Sequence, residues 1–468
     1  MEKASGNKYK IISIILAIAL VLAIAVPIYK NHLTKPDDSK TEDPVKEELI
    51  TDDPISCKDV KYFSGITKKE GKTNVVFDVN YFKDPATEYN QDLAELSAVA
   101  SATAYLNRDR LSYKEGFSYY QYQFLRQMGF ENIDIQNYGF SEGKSDKVGY
   151  TFAEKKVLIE SREITLVAVI IRGTTAGEWL SNFYISGDEN FKAQEKHRGF
   201  ALAANNLDLN LEKYLKSEKI KLKSADTKIW ITGHSRGAAV ANLVAADLTA
   251  RYGNERVYAY TFATPNVTRN PNLIDGETDN DYFKNIINFV SDQDFVPQVP
   301  LNKEKWNYDK NGTTVLFDSS DKAIMSKMKS EFGSLTDKKY NSVTKKETDQ
   351  VIKDMGSLSP DVPAYYKGEK YFGLTMWGEY KGFTTKPKDF FDAVGKYLIY
   401  DGYYFDDKKK RNNASNELSA YYISDYKNPN SKYYQSILTY LKDKSKKVAH
   451  SHSPETYISF IRAMDTEN

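Results

Sequence analysis

The sequence predicts an α/β fold in which a mostly parallel central sheet is flanked by helices, and three observations carry that prediction. Ile164 to Ile171 is an unbroken apolar run, as a strand buried on both faces requires. Ile229 to Thr232 is a second β-prone run, and it passes through Gly233-His234-Ser235-Arg236-Gly237 into a pattern of small apolar residues from Ala238 to Leu248. Strand-like and helical stretches alternate around these two, the pattern of strands joined by covering helices.

The 468 residues are 41% hydrophobic, enough for one large core with insertions or for two or three domains. With 65 Lys and Arg against 64 Asp and Glu, and no basic motif interleaved with aromatics, there is no nucleic-acid footprint. Lys3, Lys8 and Lys10 run into the apolar stretch Ile11 to Tyr29, so residues 1–30 are expected to be a signal-anchor that holds the rest of the chain outside the cytoplasm. Cleavage after Ala23-Ile24-Ala25, which would release a secreted protein, is the alternative. Residues 31–58, with Pro36, Pro44 and Pro54 among charged and hydroxyl residues, read as a solvated linker. Cys57 is the single cysteine, which excludes an internal disulfide and a thiolate zinc site.

A core over residues 59–317 follows. Val75 to Phe82 is strand-like, and Leu93, Leu96, Val99, Ala100 and Leu106 give Tyr89 to Leu106 a helical spacing. Phe117 to Met128 reads as a second helix closed by Gly129, and Val148 to Phe152 as a strand.

In this setting Gly233-x-Ser235-x-Gly237 is a nucleophile elbow, a sharp turn between strand and helix that presents a serine hydroxyl. Ser235 is the candidate nucleophile, and the N–H of Arg236 at the helix start is a candidate oxyanion donor. A triad on such an elbow needs an acid and then a histidine downstream. Of the five histidines, His32 lies in the linker, His197 precedes the nucleophile and His234 adjoins it, so His450 and His452 remain. Asp292 and Asp294 both follow the strand-like Ile286 to Val290 closely enough to supply the acid.

Arg172-Gly173-Thr174 after the central strand, Trp179 a few residues on, His197-Arg198-Gly199-Phe200 before a helix, and the Gly-His-Ser-x-Gly elbow together resemble the class 3 lipase family of α/β-hydrolases. Tyr258 to Pro265 and the segment Ile287 to Pro297, which ends in Asp294-x-Val-Pro, extend the resemblance over roughly residues 84–317 and the last twenty. It implies an α/β-hydrolase fold in an exported or membrane-anchored, bacterial-type member. It also implies Asp294 as the acid, His452 as the base ahead of an apolar terminal helix, and Thr174 as the second oxyanion donor. Arg236 departs from the family, which most often has leucine there. A cation at a helix N-terminus opposes the macrodipole, so a carboxylate partner or an anionic substrate group is expected beside it.

The expected activity is hydrolysis of acyl esters, as in triacylglycerol or a related lipid, through an acyl-enzyme with no cofactor and no metal. A phospholipase, thioesterase or peptidase using the same triad, or a non-catalytic surface module, are the alternatives. Trp306 to Tyr308 and Thr313 to Phe317 read as a hairpin. Residues 318–446, with helical patterns at 323–332, 390–400 and 433–441 and dense aromatics, read as a helical cap, and residues 447–468 return to the core carrying His452.

Overall fold

In the run Arg162–Ile171 the side chains of Val167, Val169 and Ile171 enter one apolar cluster and those of Leu166, Ala168 and Ile170 another, because alternate residues of a strand face opposite sides of its sheet. A strand apolar on both faces must lie inside a sheet with helices above and below. That is its position in the computed structural model, which describes residues 53–106, 119–138, 147–174, 184–186, 196–303, 306–357, 365–366, 369–371, 440, 443–444 and 446–464.

Among the described residues the strands of five residues or more are β1 (Ile55–Phe63), β2 (Glu70–Phe77), β3 (Glu131–Gln136), β4 (Tyr150–Ile159), β5 (Arg162–Ile171), β6 (Thr227–His234), β7 (Val257–Phe262), β8 (Ile286–Ser291) and β9 (Thr313–Phe317). Seven of them form one sheet in the order β9-β8-β7-β6-β5-β4-β3. The run from β5 to β9 is parallel, and β4 and β3 complete the sheet antiparallel. This is the α/β-hydrolase arrangement that the sequence predicts.

The helices are α1 (Gln91–Thr103), α2 (Tyr120–Gln127), α3 (Arg198–Ser217), α4 (Arg236–Tyr252), α5 (Lys322–Thr336), α6 (Lys345–Gly356) and α7 (Pro454–Met464). On one face α3 and α4 bury Leu207, Leu211, Val240 and Val244 against β5, β6 and β7. On the other, α1, α2, α5 and α7 share a cluster with Trp230, Tyr260, Phe289 and Phe317. Trp230 sits at the centre of the second face, and its indole N–H donates to Ser97 Oγ at 2.8 Å, so α1 is held to β6 by a satisfied buried donor as well as by packing.

Three departures from the sequence reading have physical causes. Ile55 to Lys58, assigned to the linker, belong to β1, which pairs antiparallel with β2. A bulge shifts the register between Cys57 and Val60, and Asp59 has φ 51°, so two charged residues stand consecutively where alternation is needed to recognise a strand. The expected hairpin of 306–308 with 313–317 does not form, because β9 pairs in parallel with β8. Asn288 Nδ2 donates to the carbonyls of Asn311 at 2.7 Å and Thr313 at 3.0 Å, and Asn242 Nδ2 donates to Asn311 O at 2.8 Å. These buried amides draw the Asn311–Thr313 backbone to the edge of β8. Third, α5 covers the helical pattern expected of a cap at 323–332, yet it packs into the core, with Met328 and Phe332 fully buried in the cluster that also holds Ile458 and Ile461 of α7.

Other parts of 318–446 adjoin the carboxyl edge of the sheet. Thr348 of α6 donates to Gln293 O at 3.1 Å, Tyr440 lies edge-on to Phe295, and the short strand Glu369–Tyr371 pairs antiparallel with Tyr184–Ser186. The helical patterns at 390–400 and 433–439, and Phe372, Trp377, Phe383, Tyr403, Tyr404 and Phe405, lie outside the described residues, as do the whole of 1–52 and Trp179. Among the described residues no helix is long and apolar enough to cross a membrane; Ile11 to Tyr29 is not among them.

Candidate active site

The site begins at the end of β6. Ser235 stands between strand and helix with φ 58° and ψ −126°, an uncommon conformation for a residue with a side chain, and its N–H donates to Phe262 O at 2.9 Å. Close approach explains the two flanking glycines. A Cβ on Gly233 would lie 2.6 Å from the backbone of Gly237, and one on Gly237 would lie 2.3 Å from Ile171 O. The turn is thereby pressed against the exit of β5, where Arg172 and Gly173 lead to Thr174.

From the ends of two other elements come the partners of Ser235. His452, just ahead of α7, places Nε2 2.8 Å from Ser235 Oγ. Asp294, just beyond β8, places Oδ2 2.6 Å from His452 Nδ1. The carboxylate accepts two further bonds, from Val296 N–H to Oδ1 at 3.0 Å and from the Tyr457 hydroxyl to Oδ2 at 2.9 Å. Burial, reinforced by Asp294, pushes the Tyr457 hydroxyl well above its ordinary range, so it remains a donor. With Asp294 accepting from Nδ1–H, the bare Nε2 is left to accept the Ser235 hydroxyl. Asp294 is fully buried, His452 and Ser235 nearly so. This arrangement can take a proton from Ser235 Oγ and hold the resulting imidazolium against a desolvated carboxylate.

The helix α4 starts at Arg236, so the N–H of Arg236 belongs to the first turn, whose donors have no partner within the helix. Its guanidinium is buried, lies over the Phe200 ring at 5.7 Å and donates to Gly199 O at 3.5 Å. Thr174 is half-buried three residues beyond β5.

The two residues that the sequence left as rivals have other partners. Asp292 accepts from Ser319 N–H and, at 2.9 Å, from Ser319 Oγ, which ties the segment after β9 to the end of β8. His450 is half-buried between Phe332 and Tyr340 and accepts from Asn341 N–H at 3.3 Å. Its burial pulls the imidazole down to about 4, so it stays neutral at physiological pH. Tyr457 received no role in the sequence reading. The only signal for it is its place one turn into the helix behind His452, and a tyrosine there is equally a packing residue until its hydroxyl is seen on Asp294.

A strained serine at a strand-to-helix turn, hydrogen-bonded to a histidine from just ahead of α7 that is itself bonded to a buried carboxylate from beyond β8, defines a hydrolase-type site on an α/β-hydrolase sheet. Residues 168–304 match the family model for lipase (class 3). The match assigns that segment to the class 3 lipases and makes the chain a lipase-like carboxylic-ester hydrolase. Solved structures similar to this chain include the Rhizomucor miehei lipase propeptide complex, at 16% identity over 49% of this chain and 69% of that one, with a TM-score of 0.32. Lipase II from Rhizopus niveus is similar at 14% identity over 48% and 80%, with a TM-score of 0.32. The mono- and diacylglycerol lipase from Aspergillus oryzae is similar at 20% over 47% and 77%, with a TM-score of 0.32. No curated protein sequence matches the chain.

Proposed function

We propose that the chain hydrolyses acyl esters of lipids, triacylglycerol or a related glyceride, with Ser235 as nucleophile, His452 as general base and acid, and Asp294 as the group that orients the imidazole. The observation that carries this reading is the continuous line of hydrogen bonds from Ser235 Oγ through both ring nitrogens of His452 to Asp294, at 2.8 and 2.6 Å. In the first half-reaction Ser235 Oγ attacks the ester carbonyl as its proton passes to His452 Nε2. The same proton then goes to the departing alcohol, leaving an acyl-serine. In the second half-reaction water, deprotonated by His452, releases the acid. Arg236 N–H, at the positive end of α4, and Thr174 are the proposed donors to the oxyanion.

The lipid part of the reading is supported by the family match at 168–304. It is tested by p-nitrophenyl esters of increasing chain length, then glycerides, phospholipids and peptides, together with a fluorophosphonate that labels the reactive serine. Labelling at Ser235 with a preference for long acyl chains is the expected result. Labelling with peptide turnover alone would reassign the substrate, and no labelling of folded protein would make the fold a binding module. The apolar run Ile11 to Tyr29 supports a domain tethered to the outer side of a membrane. Protease added to intact cells should then release active protein cut within residues 31–54, whereas recovery from the medium with Val26 at the start would mean signal cleavage.

A further inference from the structure

The residue beside the nucleophile has a role that the triad does not give it. His234 is fully buried at the end of β6, with Nδ1 2.7 Å from the Tyr105 hydroxyl and Nε2 2.8 Å from the backbone carbonyl of His452. A carbonyl oxygen can only accept, so the His234 proton resides on Nε2. Nδ1 is then bare, and the Tyr105 hydroxyl is the donor to it. The bonds therefore run in one direction, from Tyr105 O–H to His234 Nδ1 and from His234 Nε2–H to His452 O. Burial, together with neighbouring His452, holds the His234 imidazole well below its ordinary range, which agrees with a single ring proton.

Tyr105 also meets the loop that leads to Thr174. A Cβ on Gly173 would fall 1.8 Å from the Tyr105 hydroxyl oxygen and 2.9 Å from His234 O, so three backbone segments converge at this point. One comes from the end of α1, one from the exit of β5 and one from the elbow. His234 lies flat against none of its aromatic neighbours: the His452 and Tyr457 rings are 4.9 and 5.8 Å away and tilted by 47° and 72°. The hydrogen bonds, with their directional requirement, are thus what orients this ring.

We infer that Tyr105 and His234 are positioning residues that fix the His452 backbone and the Gly173–Thr174 loop in register with Ser235. His452 precedes α7 and is joined to β8 only through a long excursion of the chain, so its distance from Ser235 depends on contacts at its own backbone. The bond from His234 is one made by the elbow itself. Movement of the nucleophile and of the base is coupled through it, and misplacement of reacting groups by about 1 Å is enough to lower turnover by roughly 100-fold.

This inference rests on the proposed triad, and its test separates the two. His234→Phe keeps a ring of similar bulk and removes both bonds; it should lower kcat by roughly 10- to 100-fold with KM changed by less than about twofold. His234→Gln retains an N–H that reaches the His452 carbonyl and should restore kcat to within about threefold of the native value. Tyr105→Phe should cost about fivefold. In ¹⁵N-histidine-labelled protein, the His234 Nε2–H should be protected from solvent exchange, and the Nδ1 shift should change in Tyr105→Phe. The ring resonances do not depend on turnover, so they report on the bonds even if Ser235→Ala retains activity and the triad reading fails. Unchanged kcat in a folded His234→Phe, equal losses in the Gln and Phe variants, or a solvent-exchanging Nε2–H would each overturn the inference. Should His234→Phe not fold, the Gln and Tyr105→Phe variants and the ring spectra decide it.

Discussion

Ser235 and Asp294 both stand just beyond the carboxyl ends of parallel strands, and the protein prepares them in opposite ways. At Ser235 the preparation is in the backbone: φ is 58°, the side chain caps nothing in the helix behind it, and glycines on either side leave room for a turn that would otherwise collide with itself and with β5. At Asp294 no positive φ occurs, and the preparation is in the bonds around the carboxylate, from Val296, Tyr457 and His452. A strained turn is specified by neighbours in sequence. A saturated carboxylate is specified by residues as far away as Tyr457, which only the assembled core brings near.

The contrast implies different responses to mutation. Removing the proposed nucleophile should have the largest effect: Ser235→Gly is expected to lower kcat by about 10⁶-fold while raising stability by about 1 kcal/mol, because glycine accepts the positive φ without strain. Thermal unfolding of the folded, inactive variant checks the second half, and a lower melting point would mean that the elbow is not strained. Asp294→Asn should lower kcat by about 10⁴-fold through the wrong ring tautomer of His452, at a smaller cost in stability than loss of packing would bring. If instead the variant unfolds, the carboxylate serves the loop more than the imidazole.

Gly237→Ala should destabilise by about 3 kcal/mol or more, since the added methyl meets the backbone of Ile171 and Arg172, which no rotamer change relieves. A mild effect in a denaturant titration would show that the elbow is less tightly pressed on β5 than the Cβ positions indicate. Tyr457→Phe should cost about 1 kcal/mol of stability and roughly tenfold in kcat, because Asp294 keeps its other two bonds.

A change confined to one pH window sharpens the comparison at the loop behind Asp294. Lys310 is buried, donates to Asn266 Oδ1 at 2.5 Å and to Pro297 O at 3.1 Å, and desolvation pulls its amine down to about 8 from an ordinary 10.5. Between those two values the unfolded chain holds the proton more firmly than the folded one. Stability therefore rises with pH across that window, and below about 8 the full cost of burying the charge is present, of order 3 kcal/mol at most. Lys310→Met should flatten the rise in chemical denaturation between pH 8 and 10; an unaltered slope would place its origin elsewhere.

What was legible beforehand follows from the distance over which each feature is encoded. The strands β5, β6 and β8, the helices α1, α2, α4 and α7 and the elbow each depend on apolar spacing or turn residues within about twenty positions, and the sequence places each of them. The choice between Asp292 and Asp294, and between His450 and His452, rested on resemblance. In the fold Asp292 turns to Ser319 and His450 to Asn341. Nothing local distinguishes a carboxylate that will accept a serine from one that will accept an imidazole.

By itself, then, the sequence determined a parallel sheet, its covering helices and a serine on a strained turn, because side-chain periodicity and glycine clearance act between near neighbours. Only the tertiary structure decided that β9 enters the sheet in parallel, that α5 is core, and that Tyr105, His234 and Tyr457 attend the site. Those outcomes depend on buried amides, hydroxyls and imidazoles finding partners 23 to 218 positions away along the chain, and a polar group's burial becomes costly, and so selective, only once the core has excluded water around it.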